Sequence, residues 1–229
     1  MVDIGANLEK VRKEITQAAV ECDRDPASVL LLAVSKTFGP EEVDQACRLS
    51  QRLFGENRVQ EAETKIPVVR SDGLEWHLIG HLQSNKARRA VQLFDVIQTV
   101  DTSKVASLLD RNAGELGKRL PVFIEVNVGE ESQKAGVPPA ELTALVGTVR
   151  GLSHLELRGL MAIPPWSEDP EMSRPYFRRL AALLREVNRS LDTPLRELSM
   201  GMSHDFKVAI QEGSTLVRVG TAIFGKRKA

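Results

Sequence analysis

The chain has little that would commit it to disulfide, metal or membrane chemistry. Cysteine occurs only twice in 229 residues, as Cys22 and Cys47. Both lie in helical patterns without CxxC spacing, which suits free thiols in a reducing compartment better than a disulfide framework or a zinc site. Net charge is absent too: 31 Lys plus Arg balance 31 Asp plus Glu, so no global field draws in nucleic acid or an acidic membrane surface. No apolar stretch approaches the roughly 18 residues that cross a bilayer, and the N-terminal MVDIGANLEKVRKEI is amphipathic rather than a leader. A cytoplasmic location is the expectation. The four histidines (His77, His81, His154, His204) form no HExxH, and GxSxG, GxGxxG and GxxxxGK[ST] are missing, so metal, triad and ordinary nucleotide chemistry each lose their usual signature.

What is present is regular alternation. VLLLAVS (29–35), RLFGE (52–56), EWHLIG (75–80), DVIQTV (95–100), PVFIEVN (121–127), LELRGLM (155–161), RELSM (196–200) and TLVRVG (215–220) read as strands. Seven segments with apolar residues at helical spacing separate them, and a further helix over 3–22 precedes the first. Strands separated by helices imply right-handed βαβ units, and eight of them close into a single α/β (β/α)₈ TIM-type barrel with an additional N-terminal helix. An open doubly wound sheet is the alternative. No linker divides residues 1–229, which are expected to form one domain. The loop AIPPWSEDPEMSRP (162–175) is long enough to make a rim or lid, or simply a surface connection.

Barrel enzymes work at the C-terminal ends of their strands, with phosphate binding after strands seven and eight. Lys36 follows the first strand. It reads either as an amine whose desolvation at a barrel mouth readies it for an aldehyde, or as a lysine reaching solvent along the surface. In SMGMSHD (199–205), Gly201 allows close backbone approach and Ser203 is placed to cap the following helix. Gly220 and Thr221 in VRVGTAIFG offer a second set of backbone N–H groups and a hydroxyl. Alternation puts Arg218 and Gly220 on one strand face. If that face is the lumen, the guanidinium needs a partner, for which Glu125 on strand five is one candidate, or a ligand acceptor. A reactive lysine, a phosphate cradle and a buried arginine together suggest pyridoxal 5′-phosphate (PLP).

The segments AVSKT, FGENRVQE, WHLIGHLQSNK, IQTVD, EVNVGEESQKAG, LRGLMAI, LSMGMSHDFKVAI and GSTLVRVGTAIFG closely resemble, in order along nearly the whole chain, the pyridoxal phosphate homeostasis proteins of the YggS or PROSC type. The resemblance implies a barrel related to the N-terminal domain of alanine racemase. It implies that Lys36 forms the internal aldimine with PLP, that Ser203, Gly220 and Thr221 hold the phosphate, that Arg218 faces the pyridine nitrogen, and that Asn57 and Met200 lie near the ring. Ser199 and His81 also match motif positions. The function implied is an intracellular PLP carrier or reservoir, with PLP-dependent apo-enzymes as candidate recipients. The alternative is a PLP-dependent racemase or decarboxylase. An arginine at the ring nitrogen makes a poorer electron sink than an Asp-paired pyridinium. The second acid/base of an alanine racemase is a tyrosine supplied by an additional β domain, which is not found here. The lone Tyr176 reads as a packing residue. A barrel binding another phosphorylated metabolite is the third reading. Absence of the racemase dimerisation domain favours a monomer.

Overall fold

The computed structural model describes residues 2–131 and 133–226; Met1, Ser132 and the last three residues of the expected 1–229 domain lie outside the described residues. Eight parallel strands close into a barrel in sequence order: β1 (Leu30–Val34), β2 (Leu53–Glu56), β3 (Glu75–Leu78), β4 (Val96–Val100), β5 (Leu120–Glu125), β6 (Leu155–Met161), β7 (Glu197–Met202) and β8 (Leu216–Val219). The expected strands are all there, trimmed or shifted by a residue or two, and the open-sheet alternative is excluded by the β1–β8 pairing.

Between them run α2 (Pro40–Arg48), α3 (Val59–Lys65), α4 (Ala87–Leu93), α5 (Ser103–Glu115), α6 (Leu142–Arg150), α7 (Arg174–Asn188) and α8 (Phe206–Gln211). The preceding helix α1 (Ile4–Val20) starts where the Asp3 side chain accepts the Ala6 N–H at 3.0 Å, a capping bond of the usual kind. Its stripe of Ile4, Leu8, Val11 and Ile15 packs on α2, α8 and a short helix α9 (Thr221–Phe224) that the sequence reading did not anticipate. Because α9 is only one turn long, α1 covers the flank that a full eighth helix would cover elsewhere.

Alternation along the strands divides the core in two. Outward side chains such as Leu120, Val122 and Ile124 join the large cluster beneath the helices, whereas Leu32, Val34, Ile79, Val96, Phe123, Met161 and Leu216 fill the lumen. The pattern slips in β7, as the register also does between β4 and β5 and between β5 and β6. Ser199 pairs with Leu216 but Met202 pairs with Arg218, so β7 carries one extra residue, a bulge that re-aims everything after it. Gly201 makes this possible. Its φ of +92° is costly for other residues, and a Cβ there would stand 2.5 Å from the Ala209 Cβ. Among the described residues no helix is long and apolar enough to cross a membrane, and no group of three or more metal-ligating side chains assembles.

Candidate functional site

A cavity of about 230 Å³ opens at the C-terminal mouth of the barrel, and Lys36, Asn57, Ser203, Arg218, Gly220 and Thr221 all line it. The seventh expected residue, Met200, does not. Alternation points it outward, fully buried in the cluster beneath the helices, and the bulge at Gly201 brings Met202 to the cavity instead. Plain alternation puts Met200 and Met202 on the same outward face; the turn of Met202 into the cavity is what periodicity alone could not show, because a bulge leaves the residue count unremarkable while inverting the faces beyond it.

Lys36 continues the lumen-facing row Leu32, Val34 by two residues, and Thr37 immediately after it adopts a left-handed φ of +69°. A β-branched residue pays for that conformation, and the surroundings hold it. The Thr37 N–H donates to the Glu61 carboxylate. The same Glu61 oxygen accepts from Lys65 Nζ at 3.0 Å, and Lys65, only 4% exposed, also donates to the Ser35 carbonyl at 2.8 Å and to Glu56 Oε1 at 2.7 Å. Ser35 Oγ donates to that Glu56 oxygen at 2.6 Å. Burial raises the Glu56 pKa, opposed by the Lys65 charge. This ion cluster clamps the turn that carries Lys36, and the sequence reading missed it.

The cradle is built differently from the expectation. Ser203 does not cap α8; its Oγ accepts the Gly220 N–H at 3.1 Å and the Ala222 N–H at 3.4 Å, tying the loop after β7 to the loop after β8. Asp205 holds the first loop from below, accepting from Met202 N at 2.7 Å and Ser173 Oγ at 3.0 Å. Gly220 sits close under β1, where an added Cβ would meet the Val34 carbonyl at 3.1 Å.

Arg218 is on the lumen face as alternation requires, and 3% exposed. Its partners are Ser199 Oγ at 2.7 Å and the Ala162 carbonyl at 2.8 Å, rather than a direct ion pair with Glu125. Burial lowers its pKa to about 10, opposed by the charges of Asp205 and Glu125, so it is a cation at neutral pH. Glu125 is pushed up to about 7, first by burial, then by Asp101, against the pull of Arg218; its Oε2 is buried with no hydrogen-bond partner. His81 stands outside, exposed, with Nδ1 3.8 Å from the Asp101 carboxylate. The 162–175 segment forms one wall: Ile163 and the largely exposed Trp166 line the cavity. Tyr176 packs against the outer core, as the sequence suggested. Cys22 and Cys47 are free.

The model of the alanine racemase N-terminal domain matches residues 6–228. The pyridoxal phosphate homeostasis protein of Escherichia coli K12 is 44% identical over 234 residues, covering 99% of this chain and 98% of that one. The chain belongs to that family. The homologue of the same name from Aquifex aeolicus is 41% identical over 221 residues, covering 96% of this chain and 97% of that one. Among solved structures, PipY of Synechococcus elongatus with PLP bound superposes with a TM-score of 0.86 at 39% identity, covering 97% of this chain and all of that one. The alanine racemase of Clostridium difficile shares the fold at a TM-score of 0.75 and 15% identity, with 99% of this chain covering 57% of that enzyme. Family membership therefore places Lys36 and its clamp in a barrel type shared with racemases, while the full-length relatives bear the homeostasis name.

Glu125 generates a test. Its folded pKa lies above its unfolded value, so folding takes up a proton between about pH 4.5 and pH 7, and the folded state loses stability as pH rises through that window. Glu125→Gln, neutral throughout, should gain on the parent protein as pH rises. The gap should grow by about 3 kcal/mol between pH 4.5 and pH 8, at 1.36 kcal/mol per pKa unit. Urea denaturation of both proteins at the two pH values checks it, and a gap independent of pH would refute the assignment.

Proposed function

We propose that the chain binds PLP covalently through Lys36 and serves as an intracellular carrier or reservoir of the coenzyme, handing it to PLP-dependent apo-enzymes. The observation that carries this reading is the meeting in one cavity of a primary amine, a buried guanidinium and a two-loop cradle. The donor set suits the group. Two backbone N–H groups converge on the Ser203 hydroxyl oxygen, where a phosphate oxygen would accept equally well, with the Thr221 hydroxyl on the same wall.

When bound, PLP supplies an aldehyde that captures primary amines. Lys36 supplies the amine, and the Lys65–Glu61–Glu56 clamp fixes its direction. Ser203, Gly220 and Thr221 would hold the phosphate end, Arg218, a cation at neutral pH, would donate a hydrogen bond to the ring nitrogen, and Asn57 and Met202 would flank the ring. We read residues 1–229 as one PLP-binding domain, monomeric and cytoplasmic. A racemase would need a positioned acid/base on the second face of the ring, worth about 10²–10⁴ in rate; Tyr176, packed in the outer core, does not furnish it.

Borohydride reduction of the PLP-loaded protein should fix the label on Lys36, and peptide mapping to Lys86, Lys134 or Lys207 would overturn the assignment. Replacing Ser203 and Thr221 together by alanine should weaken PLP by about two orders of magnitude while leaving pyridoxal nearly unchanged, since each charge-assisted bond to phosphate is worth about 1.5–3 kcal/mol. Equal loss for both ligands in a binding titration would move the phosphate elsewhere. Incubated with L-alanine in deuterated water, the loaded protein should exchange the α-proton no faster than free PLP. Turnover above about 1 s⁻¹, the lower range of enzymes, would replace the carrier by a racemase.

A further inference from the structure

The lumen of this barrel is not filled by apolar side chains alone. A polar chain crosses it from the floor beneath β3 to the cavity at β8. Glu75 Oε1 lies 2.7 Å from His77 Nε2, and His77 Nδ1 lies 2.7 Å from Gln98 Nε2. Gln98 Oε1 lies 2.6 Å from Ser199 Oγ, which is 2.7 Å from Arg218 Nη1. His77, Gln98, Ser199 and Arg218 are all at most 3% exposed, and Glu75 opens to the floor of the barrel, with its side chain 39% exposed.

The direction of every bond follows from the guanidinium at one end. Arginine can only donate, so Ser199 Oγ accepts from it and spends its own hydrogen on Gln98 Oε1. That fixes the Gln98 amide, whose Nε2 donates to His77 Nδ1. The imidazole proton is then on Nε2 and goes to Glu75, whose carboxyl the bond to His77 holds below its ordinary range. All four links donate the same way, from the cation at the cavity to the carboxylate at the floor. Such aligned bonds reinforce one another in a low-dielectric interior. Reversing any one of them leaves two donors or two acceptors face to face.

We propose that Ser199, Gln98 and His77, anchored by Glu75, are positioning residues that orient the Arg218 guanidinium in the PLP cavity. The proposal rests on the PLP reading above. A polar line through the middle of a barrel that hydrophobic side chains could fill is costly unless complete, and this one is complete and ends on the residue that meets the ring. Arg218 has its other bond to the Ala162 carbonyl, so the chain and that carbonyl together leave the guanidinium a single seat.

The test compares the PLP-loaded parent with Ser199→Ala, Ser199→Thr and Glu75→Gln, recording the absorption maximum of the bound coenzyme, its dissociation constant and the melting temperature. Ser199→Ala should displace the absorption maximum and weaken PLP about tenfold, the range for one bond to a charged group. Ser199→Thr, which keeps the hydroxyl, should restore both. Glu75→Gln, at the exposed far end, should displace the maximum the same way by less. If Ser199→Ala does not fold, Glu75→Gln decides alone. Variants that melt earlier yet keep the parental spectrum and affinity would reduce the chain to a structural role and overturn the proposal. A parent protein that takes up no PLP would instead fail the carrier reading, a result separable from this one.

Discussion

A cation buried on the lumen face of β8 is the constraint to which the interior of this barrel answers. Arg218 keeps its charge at 3% exposure, and a buried guanidinium is tolerable only with its donors engaged and countercharge within reach. Those demands recruit a hydroxyl from β7, a carbonyl from the segment after β6 and an amide from β4, while Asp205 and Glu125 provide field without contact. Glu125 in turn carries a raised pKa, first because it is buried and then because Asp101 stands near it. The polar and apolar halves of the lumen are arranged around one side chain.

The mouth of the barrel follows a second economy, in which loops are tied to each other rather than left to solvent. Ser203 joins the β7 and β8 loops through two N–H groups, Asp205 binds the β7 loop to the segment before α7, and the Glu56–Lys65–Glu61 cluster joins β1, β2 and α3 beneath Lys36. A left-handed Thr37 next to the cavity-lining Lys36 is the sort of strain that persists only when several partners over-determine it. The amine is therefore presented from a fixed turn instead of a mobile one.

Much of this was legible in the residues. Strand and helix periods, repeated eight times, gave the barrel; the rule that function gathers at strand ends selected Lys36, Ser203, Gly220 and Thr221, and strand alternation added Arg218, all of which reach one cavity. Three things were not legible, each for a physical reason. The bulge at Gly201 turns Met202 into the cavity without altering composition or spacing. The α9 turn is too short for a periodic signal. The contacts of Lys65 with Ser35, 30 residues away, and of Gln98 with Ser199, 101 residues away, join positions that only barrel closure makes neighbours. His77 was read only as one of four histidines without metal spacing, and its meaning lay in a partner on the next strand.

The two tryptophans divide the protein's optical properties between them. Trp76 is 5% exposed, its ring centroid 5.3 Å from that of Phe54, in the layer beneath the helices. Trp166 is 77% exposed and overhangs the cavity. One indole thus sits in the dry packed shell and the other at the wet rim of the cavity, so their emissions belong to two different environments of the same chain.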